Sequence, residues 1–146
     1  MSPTRKDLFN AAENFCQAFA EHKDLEYILS LFSVTHATSV IEYGDPILAP
    51  FLGKEFIRPR KIQEYFELLA SLVSHENVKF SEYFADVEAM KVSVKGDGKF
   101  TWLSTKQSWH ETFTYTLDFD DELKVVKYQV WADSGAAYLA RIDNGK

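Results

Sequence analysis

The stretch VVKYQVWADSGAAYLA, residues 125–140, decides how this sequence is interpreted. Its β-branched and aromatic residues predict a final strand over residues 123–133, which carries Trp131 and Asp133 to its end. A turn of small residues and a short apolar tail follow. A carboxylate beside a tryptophan at the rim of a curved sheet can meet a bound molecule, so this stretch indicates a ligand-facing position for Asp133.

The composition is that of a folded globular protein. The 12 Phe, 7 Tyr and 3 Trp provide rings that fill a core or line apolar pockets. A net charge of −6 without a large cluster of Lys and Arg argues against a nucleic-acid partner. The N-terminus lacks an apolar signal region and no apolar run reaches membrane-span length, so the sequence predicts a cytoplasmic protein with no membrane partner.

Helices come first in the sequence and strands follow. Apolar spacing predicts a helix over residues 2–21 with Ser2 as N-cap, a short second helix, and a third over residues 58–74. Strands are predicted over residues 38–43, 78–85, 87–95, 100–119 and 123–133, with Gly96-Asp97-Gly98 as a tight connection. The expected architecture is one α+β domain over residues 1–146, in which three helices pack into the concave face of a bent antiparallel sheet.

This order of elements resembles the nuclear transport factor 2-like superfamily and, within it, the SnoaL-like polyketide-cyclase group. The resemblance covers almost the whole chain. It rests on the early helix pair, on VIEYGDP (40–46), on FLGKEFI (51–57) before the third helix, and on the closing VWAD (130–133). Fungal members of secondary metabolism end in a similar Trp-Ala-Asp stretch. The resemblance implies a cone-shaped, cystatin-like roll, but its members include enzymes, ligand-binding modules and dimerising modules.

The strand over residues 109–119 has two distinct faces, because side chains alternate with a period of two. Glu111 shares its face with aromatic residues, where desolvation raises the pKa of a carboxyl group toward values useful for proton transfer. Glu111 is therefore a candidate general acid or base, the alternative being an exposed or paired carboxylate near a bulge. His110 lies on the opposite face, and a bulge around residues 104–107 would turn this candidate proton shuttle inward.

The resemblance implies an acid/base role for Asp133, because an Asp near the end of the last strand has this role in the polyketide-cyclase branch. The alternative is a cap for the turn at residues 134–136. Trp131 and Gln129 share the parity of Asp133. Trp131 is expected either to wall the pocket or to be a core tryptophan, and Gln129 is expected to orient a ligand oxygen. Tyr43 is expected either to donate a hydrogen bond to an enolate or carbonyl oxygen, or to be a core tyrosine. Trp109 and Phe113 are also expected to line the pocket. Tyr65 and Trp102 are further lining candidates, with a structural position in the core as the alternative.

These candidates predict isomerase, cyclase or dehydratase chemistry on a hydrophobic, oxygenated small molecule such as a polyketide- or terpenoid-like metabolite. The alternative function is a non-catalytic binding or dimerising module. No metal is expected because the histidines are not spaced as ligands, and no cofactor is expected because no Gly-rich phosphate loop or dinucleotide fingerprint occurs. A homodimer through the sheet is expected. Its predicted surface is formed by Thr112, Thr114, Thr116, Tyr128 and Val130.

Overall fold

The computed structural model describes residues 2–142 as four helices and one six-stranded sheet. In chain order the elements are α1 (Arg5–Ala20), α2 (Leu25–Ser30), β1 (Ser39–Tyr43), β2 (Glu55–Ile57), α3 (Arg58–Leu72), β3 (Val73–Asp86), β4 (Lys91–Trp102), β5 (Ser108–Phe119), β6 (Val125–Trp131) and α4 (Ser134–Ile142). The strand order is β2-β1-β6-β5-β4-β3. The predicted α+β architecture is confirmed, but the predicted antiparallel sheet is mixed, because β1 pairs with β6 in parallel. The sheet is also open, with β2 and β3 as its two edge strands.

Helix α1 begins later than the sequence predicts, because Thr4 rather than Ser2 is its cap. The Thr4 hydroxyl oxygen accepts a hydrogen bond from the backbone N–H of Asp7 at 3.1 Å. The Asp7 carboxylate accepts one from the backbone N–H of Thr4 at 2.8 Å. This reciprocal capping box satisfies two N–H groups that would otherwise lack partners at the helix start.

The segment Gly96-Asp97-Gly98 is not a turn, which corrects the predicted hairpin. These residues lie inside β4, where Gly96 pairs with Phe80 and Asp97 pairs with Lys79. A Cβ atom at Gly96 would collide with the ring of Phe113, and one at Gly98 would approach a methyl group of Val78 to 2.7 Å. The glycines therefore make room for side chains packed over the strand. The real connection between β3 and β4 is the turn at residues 87–90.

Two further segments differ from the prediction. Residues 103–107 form a turn that separates β4 from β5, so the predicted long strand over residues 100–119 is two antiparallel strands. The predicted turn and tail after residue 133 are instead the start of helix α4. Trp102 fixes this helix to the sheet, because its indole N–H donates to the carbonyl oxygen of Ala137 at 2.7 Å.

The core lies between the helices and one face of the sheet, called here the inner face. Phe15 of α1 packs edge-on against Tyr128 of β6, with ring centroids 5.0 Å apart. Phe66 of α3 stacks on the same tyrosine at 6.1 Å. The other buried side chains of the inner face include Val92, Val94, Tyr115 and Leu117. Within residues 2–142 no helix is both long enough and apolar enough to cross a membrane.

Candidate active site

A narrow cavity of about 50 Å³ remains on the inner face, between the sheet, α3 and the start of α4. A volume of this size holds a few water molecules. Its walls are mainly aromatic and aliphatic, and the polar groups that reach it include three carboxyl groups. Glu42 comes from β1, Glu111 from β5, and Asp133 from the residue pair between β6 and α4.

Glu111 is buried in this cavity, as its strand parity predicts. Its Oε1 accepts a hydrogen bond from the indole N–H of Trp109 at 2.5 Å. Burial raises the pKa of Glu111 to about 7, although hydrogen bonds from Trp109 and from the backbone of Asp133 lower it in part. At neutral pH both protonation states of Glu111 are therefore populated, which is the condition that a general acid or base requires.

Glu42 is the second buried carboxyl group of the cavity. The hydroxyl group of Tyr65 donates to its Oε1 at 2.8 Å. Burial raises the pKa of Glu42 to about 7, against the effect of the Tyr65 hydrogen bond, and the charge of Glu111 raises it further. Burial also raises the pKa of Tyr65 well above its usual value, so its hydroxyl group stays protonated and remains a donor.

The two glutamates line one desolvated space and are candidates for an acid/base pair. The charge of Glu111 is one of the causes that raise the pKa of Glu42, so ionisation of Glu111 disfavours ionisation of Glu42. Such a pair can accept a proton at one position and donate a hydrogen bond or proton at another. Within residues 2–142 no three His, Cys, Asp or Glu side chains are grouped as a metal site would require.

Asp133 lies at the mouth of the cavity and caps α4. Its Oδ1 accepts a hydrogen bond from the backbone N–H of Ala136 at 3.0 Å. The side chain is exposed, in contrast to Glu42 and Glu111. Asp133 therefore has the capping position that the sequence analysis gave as the alternative. Its backbone also forms a hydrogen bond with the buried carboxyl group of Glu111.

The structure places the sequence-predicted candidates in two groups. Five of them line the cavity: Tyr65, Trp109, Glu111, Phe113 and Asp133. The other five are absent from its walls: Tyr43, Trp102, His110, Gln129 and Trp131. Trp102 is a core residue that faces α4. Chemical roles for all ten residues stay predictions. The predicted lining position is wrong for Trp102, Gln129 and Trp131.

The predicted positions of Trp131 and Gln129 are wrong because β6 turns its other parity inward. Tyr128 and Val130 are buried on the inner face, whereas Trp131 is 43% exposed. The strand ends at Trp131, so the alternation does not continue to Asp133. On the outer face Tyr43 stacks on Trp131, with centroids 4.8 Å apart, and its hydroxyl group donates to Gln129 at 2.7 Å. Tyr43 therefore stabilises the outer face and does not meet a ligand in the cavity.

His110 also lies on the outer face. Its Nε2 is 2.7 Å from Oδ1 of Asp97 on the neighbouring strand. The register between β4 and β5 is continuous from residue 108 to residue 118, so no bulge turns His110 inward. The predicted dimer surface needs a similar correction, because Tyr128 and Val130 belong to the core while Thr112 and Thr114 are exposed.

The sequence interpretation missed the pairing of Glu42 with Tyr65. Glu42 has the same parity as Val40, which is fully buried, and this was the available signal. The signal is weak because the opposite parity of β1, with Ile41 and Tyr43, is also apolar.

No family model matches the sequence, and neither does any curated protein. Solved structures do match. A proposed isomerase from Bacillus subtilis superposes with a TM-score of 0.78 at 11% identity, over 95% of this chain and 96% of that one. An NTF2-like protein of unknown function from Burkholderia pseudomallei gives 0.78 at 12% identity, over 93% and 98%. AusH from Aspergillus nidulans gives 0.68 at 24% identity, over 90% and 87%. The chain therefore has the fold of the nuclear transport factor 2-like proteins.

Proposed function

We propose that this protein is a cofactor-independent acid–base catalyst of the isomerase or cyclase type. Its substrate would be a hydrophobic, oxygenated small molecule, of the polyketide- or terpenoid-like class. The observation that carries the proposal is the burial of Glu111 in an aromatic cavity, with its pKa raised to about 7 and Glu42 in the same space. The fold shared with a proposed isomerase is consistent with this reaction class.

The proposed reaction begins with proton removal from a carbon next to a carbonyl group. The carboxylate of Glu111 takes the proton, and the electron pair of the C–H bond moves to the carbonyl oxygen as an enolate. Protonated Glu42, held by Tyr65, donates a hydrogen bond to that oxygen. In a β,γ-unsaturated ketone the enolate is conjugated with the C=C bond, so return of the proton from Glu111 to the γ carbon gives an isomer. In a diketone the enolate carbon attacks the second carbonyl group, and the alkoxide that forms takes the proton from Glu111, which completes ring closure. The aromatic walls exclude water from both steps.

Asp133 has a supporting role in this proposal. Its backbone holds Glu111, and its exposed carboxylate at the mouth can exchange protons with solvent. This arrangement keeps the acid/base function that the resemblance implies for Asp133 but moves the proton-abstraction step to Glu111.

The test measures deuterium uptake next to the carbonyl group of hydrophobic ketones in D₂O, by proton NMR. The substitution Glu111→Gln keeps the size of the side chain and removes the base, so we expect exchange to fall by about a hundredfold or more. Glu88→Gln is the matched control, because Glu88 is exposed in the turn between β3 and β4. Equal exchange by the parent protein and Glu111→Gln would refute the assignment of Glu111 as the base.

A non-catalytic binding module is the second candidate function. The narrowness of the cavity weighs against turnover of a large molecule inside it, because about 50 Å³ is far below the roughly 300–1,000 Å³ of ordinary small-molecule sites. Ligand binding by both the parent and Glu111→Gln, without deuterium exchange by either, would select this alternative.

We also propose that two copies pair through the outer face of the sheet. Trp131 and Tyr43 form an exposed aromatic pair there, next to the exposed threonines of β5. Sedimentation should give a dimer for the parent and a monomer for Trp131→Arg, because a charge would be placed in the contact. Leu139→Arg on the exposed side of α4 is the control and should remain dimeric. A monomeric parent would contradict the proposal.

A further inference from the structure

A second and larger cavity adjoins the one that holds the two glutamates. It has a volume of about 390 Å³, is open to solvent on one side, and lies between the end of α1, α2, the last turns of α3 and the start of β3. Phe19, Leu69 and Val73 line both cavities, so these side chains lie between the two spaces. The larger volume lies within the usual range of sites for small organic molecules.

The walls of this larger cavity suit an apolar occupant. Its apolar lining residues include Leu25, Ile28, Phe66 and Ala70. The polar residues that line it are His22, Lys23, Glu67, Ser74 and His75. This combination of an apolar interior with a few polar groups is typical of small-molecule sites.

One wall is a stack of three rings that hydrogen bonds hold in place. The ring of His75 lies between Phe19 at 4.1 Å and His22 at 4.2 Å, measured between centroids. Nε2 of His75 is 2.9 Å from the carbonyl oxygen of Phe19, and Nε2 of His22 is 2.8 Å from that of His75. A carbonyl oxygen only accepts, so both Nε2 atoms carry a proton and both rings have a fixed orientation. The wall is therefore formed before any ligand binds.

The small cavity alone has too little room for the substrate class proposed above. A polyketide- or terpenoid-like molecule has an apolar body far larger than about 50 Å³. The reacting carbonyl group of such a molecule could reach Glu111 only if the apolar body of the molecule lay outside the small cavity. The adjoining cavity provides that space at the side bounded by Phe19 and Leu69.

We propose that the two cavities form a single site for an elongated amphiphilic molecule, with its oxygenated end at Glu42 and Glu111 and its apolar body in the larger cavity. Rotation of the Leu69 side chain opens the passage between them, since such a rotamer change needs no movement of the backbone and leaves the stack of Phe19, His75 and His22 in place. The assignment of the oxygenated end rests on the proposed function. Occupation of the larger cavity is a matter of binding and can be tested without turnover.

The test titrates the full protein with straight-chain methyl ketones from 2-hexanone to 2-dodecanone and records two sets of NMR signals. The indole N–H of Trp109 reports on the glutamate end, because it is bonded to Glu111. The imidazole signals of His22 and His75 report on the larger cavity. Trp131 and His110 on the outer face are internal controls. We expect short ketones to shift the Trp109 signal and long ketones to shift the histidine signals as well.

Affinity should also depend on chain length. Each methylene group that enters the larger cavity should tighten binding about fourfold, as expected for burial of one CH₂. Ala70→Phe adds a ring to the wall of the larger cavity and should weaken binding of long ketones at least tenfold, with little effect on short ones. Ser71→Phe places the same ring at an exposed position of α3 outside both cavities and is the matched control.

Three results would overturn this inference. The first is a Trp109 shift from long ketones that leaves His22 and His75 unchanged. The second is the reverse pattern, which would make the larger cavity an independent site. The third is an equal effect of Ala70→Phe on short and long ketones. Absence of deuterium exchange together with the expected binding pattern would refute the proposed catalysis alone.

Discussion

Glu42→Gln should stabilise the protein at alkaline pH and change its stability little at acidic pH. The pKa of Glu42 is raised from an ordinary 4.5 to about 7 in the folded state. In the range between these values the folded state holds a proton that the unfolded state has lost, so folding stability falls as pH rises from about 4.5 to about 7. At 1.36 kcal/mol per pKa unit, the full loss at pH 8 is about 3 kcal/mol.

Glutamine removes this pH-dependent penalty and keeps the local structure. Its Oε1 can still accept the hydrogen bond that Tyr65 donates to Glu42. The variant should therefore gain about 3 kcal/mol over the parent at pH 8, or roughly 6–12 °C in Tm for a chain of this size. The gain should disappear near pH 4, where Glu42 is protonated in both states.

Urea denaturation of both proteins between pH 4 and pH 8 measures this difference directly. Glu88→Gln is again the control, because an exposed carboxylate in the turn between β3 and β4 should give no pH-dependent gain. A gain for Glu42→Gln that is the same at pH 4 and pH 8 would refute the reasoning. So would a loss at pH 8, which would mean that the ionised carboxylate is stabilised in its present position.

Two further predictions concern Glu111 and Asp133. Trp109→Phe removes a hydrogen bond that lowers the pKa of Glu111. Deuterium exchange in the parent should rise with pH around a midpoint near 7, and this midpoint should move to higher pH in the variant. An unchanged pH profile would contradict the acid/base role of Glu111. Asp133→Ala should lower the free energy of unfolding by about 1 kcal/mol through loss of the α4 cap, whereas Asp133→Asn should keep it. Thermal denaturation tests the cap, and a loss of exchange activity in Asp133→Asn with intact stability would show that the charge itself acts in catalysis.

The inward position of Glu111 could be predicted because the inner face of β5 is consistently apolar. Phe113, Tyr115, Leu117 and Phe119 continue the same parity without interruption. Such regular alternation sets the register strongly, since a shift by one residue would expose every one of these side chains. Fold class could be predicted for the same reason, from periodicity summed over long segments.

Other features depend on contacts that local sequence does not encode. The Gly-Asp-Gly segment at residues 96–98 has a sequence typical of a turn. Its place inside a strand is explained by the ring of Phe113 and the side chain of Val78, which pack where a Cβ atom of Gly96 or Gly98 would lie. Glu42 and Tyr65 are 23 residues apart on different elements, so their hydrogen bond appears only once α3 packs against β1. Strand β6 ends at Trp131 and helix α4 begins at Ser134, so the alternation of side chains along the strand does not extend to Asp133. Trp131 and Asp133 therefore do not share a face, contrary to what the sequence had suggested.

The parallel pairing of β1 with β6 has a consequence for synthesis on the ribosome. Strand β1 has β2 on one side and needs β6 on the other, with Glu42 aligned to Val130. An isolated pair of short strands is marginal in water, so β1 and β2 cannot be secured until residues 125–131 have left the exit tunnel. The nascent chain must therefore keep an early, apolar strand from aggregating while about eighty more residues are made. The cavity that Glu42 and Glu111 line is completed only when β6 has paired, and a ribosome that stalls before β6 would leave this cavity unformed.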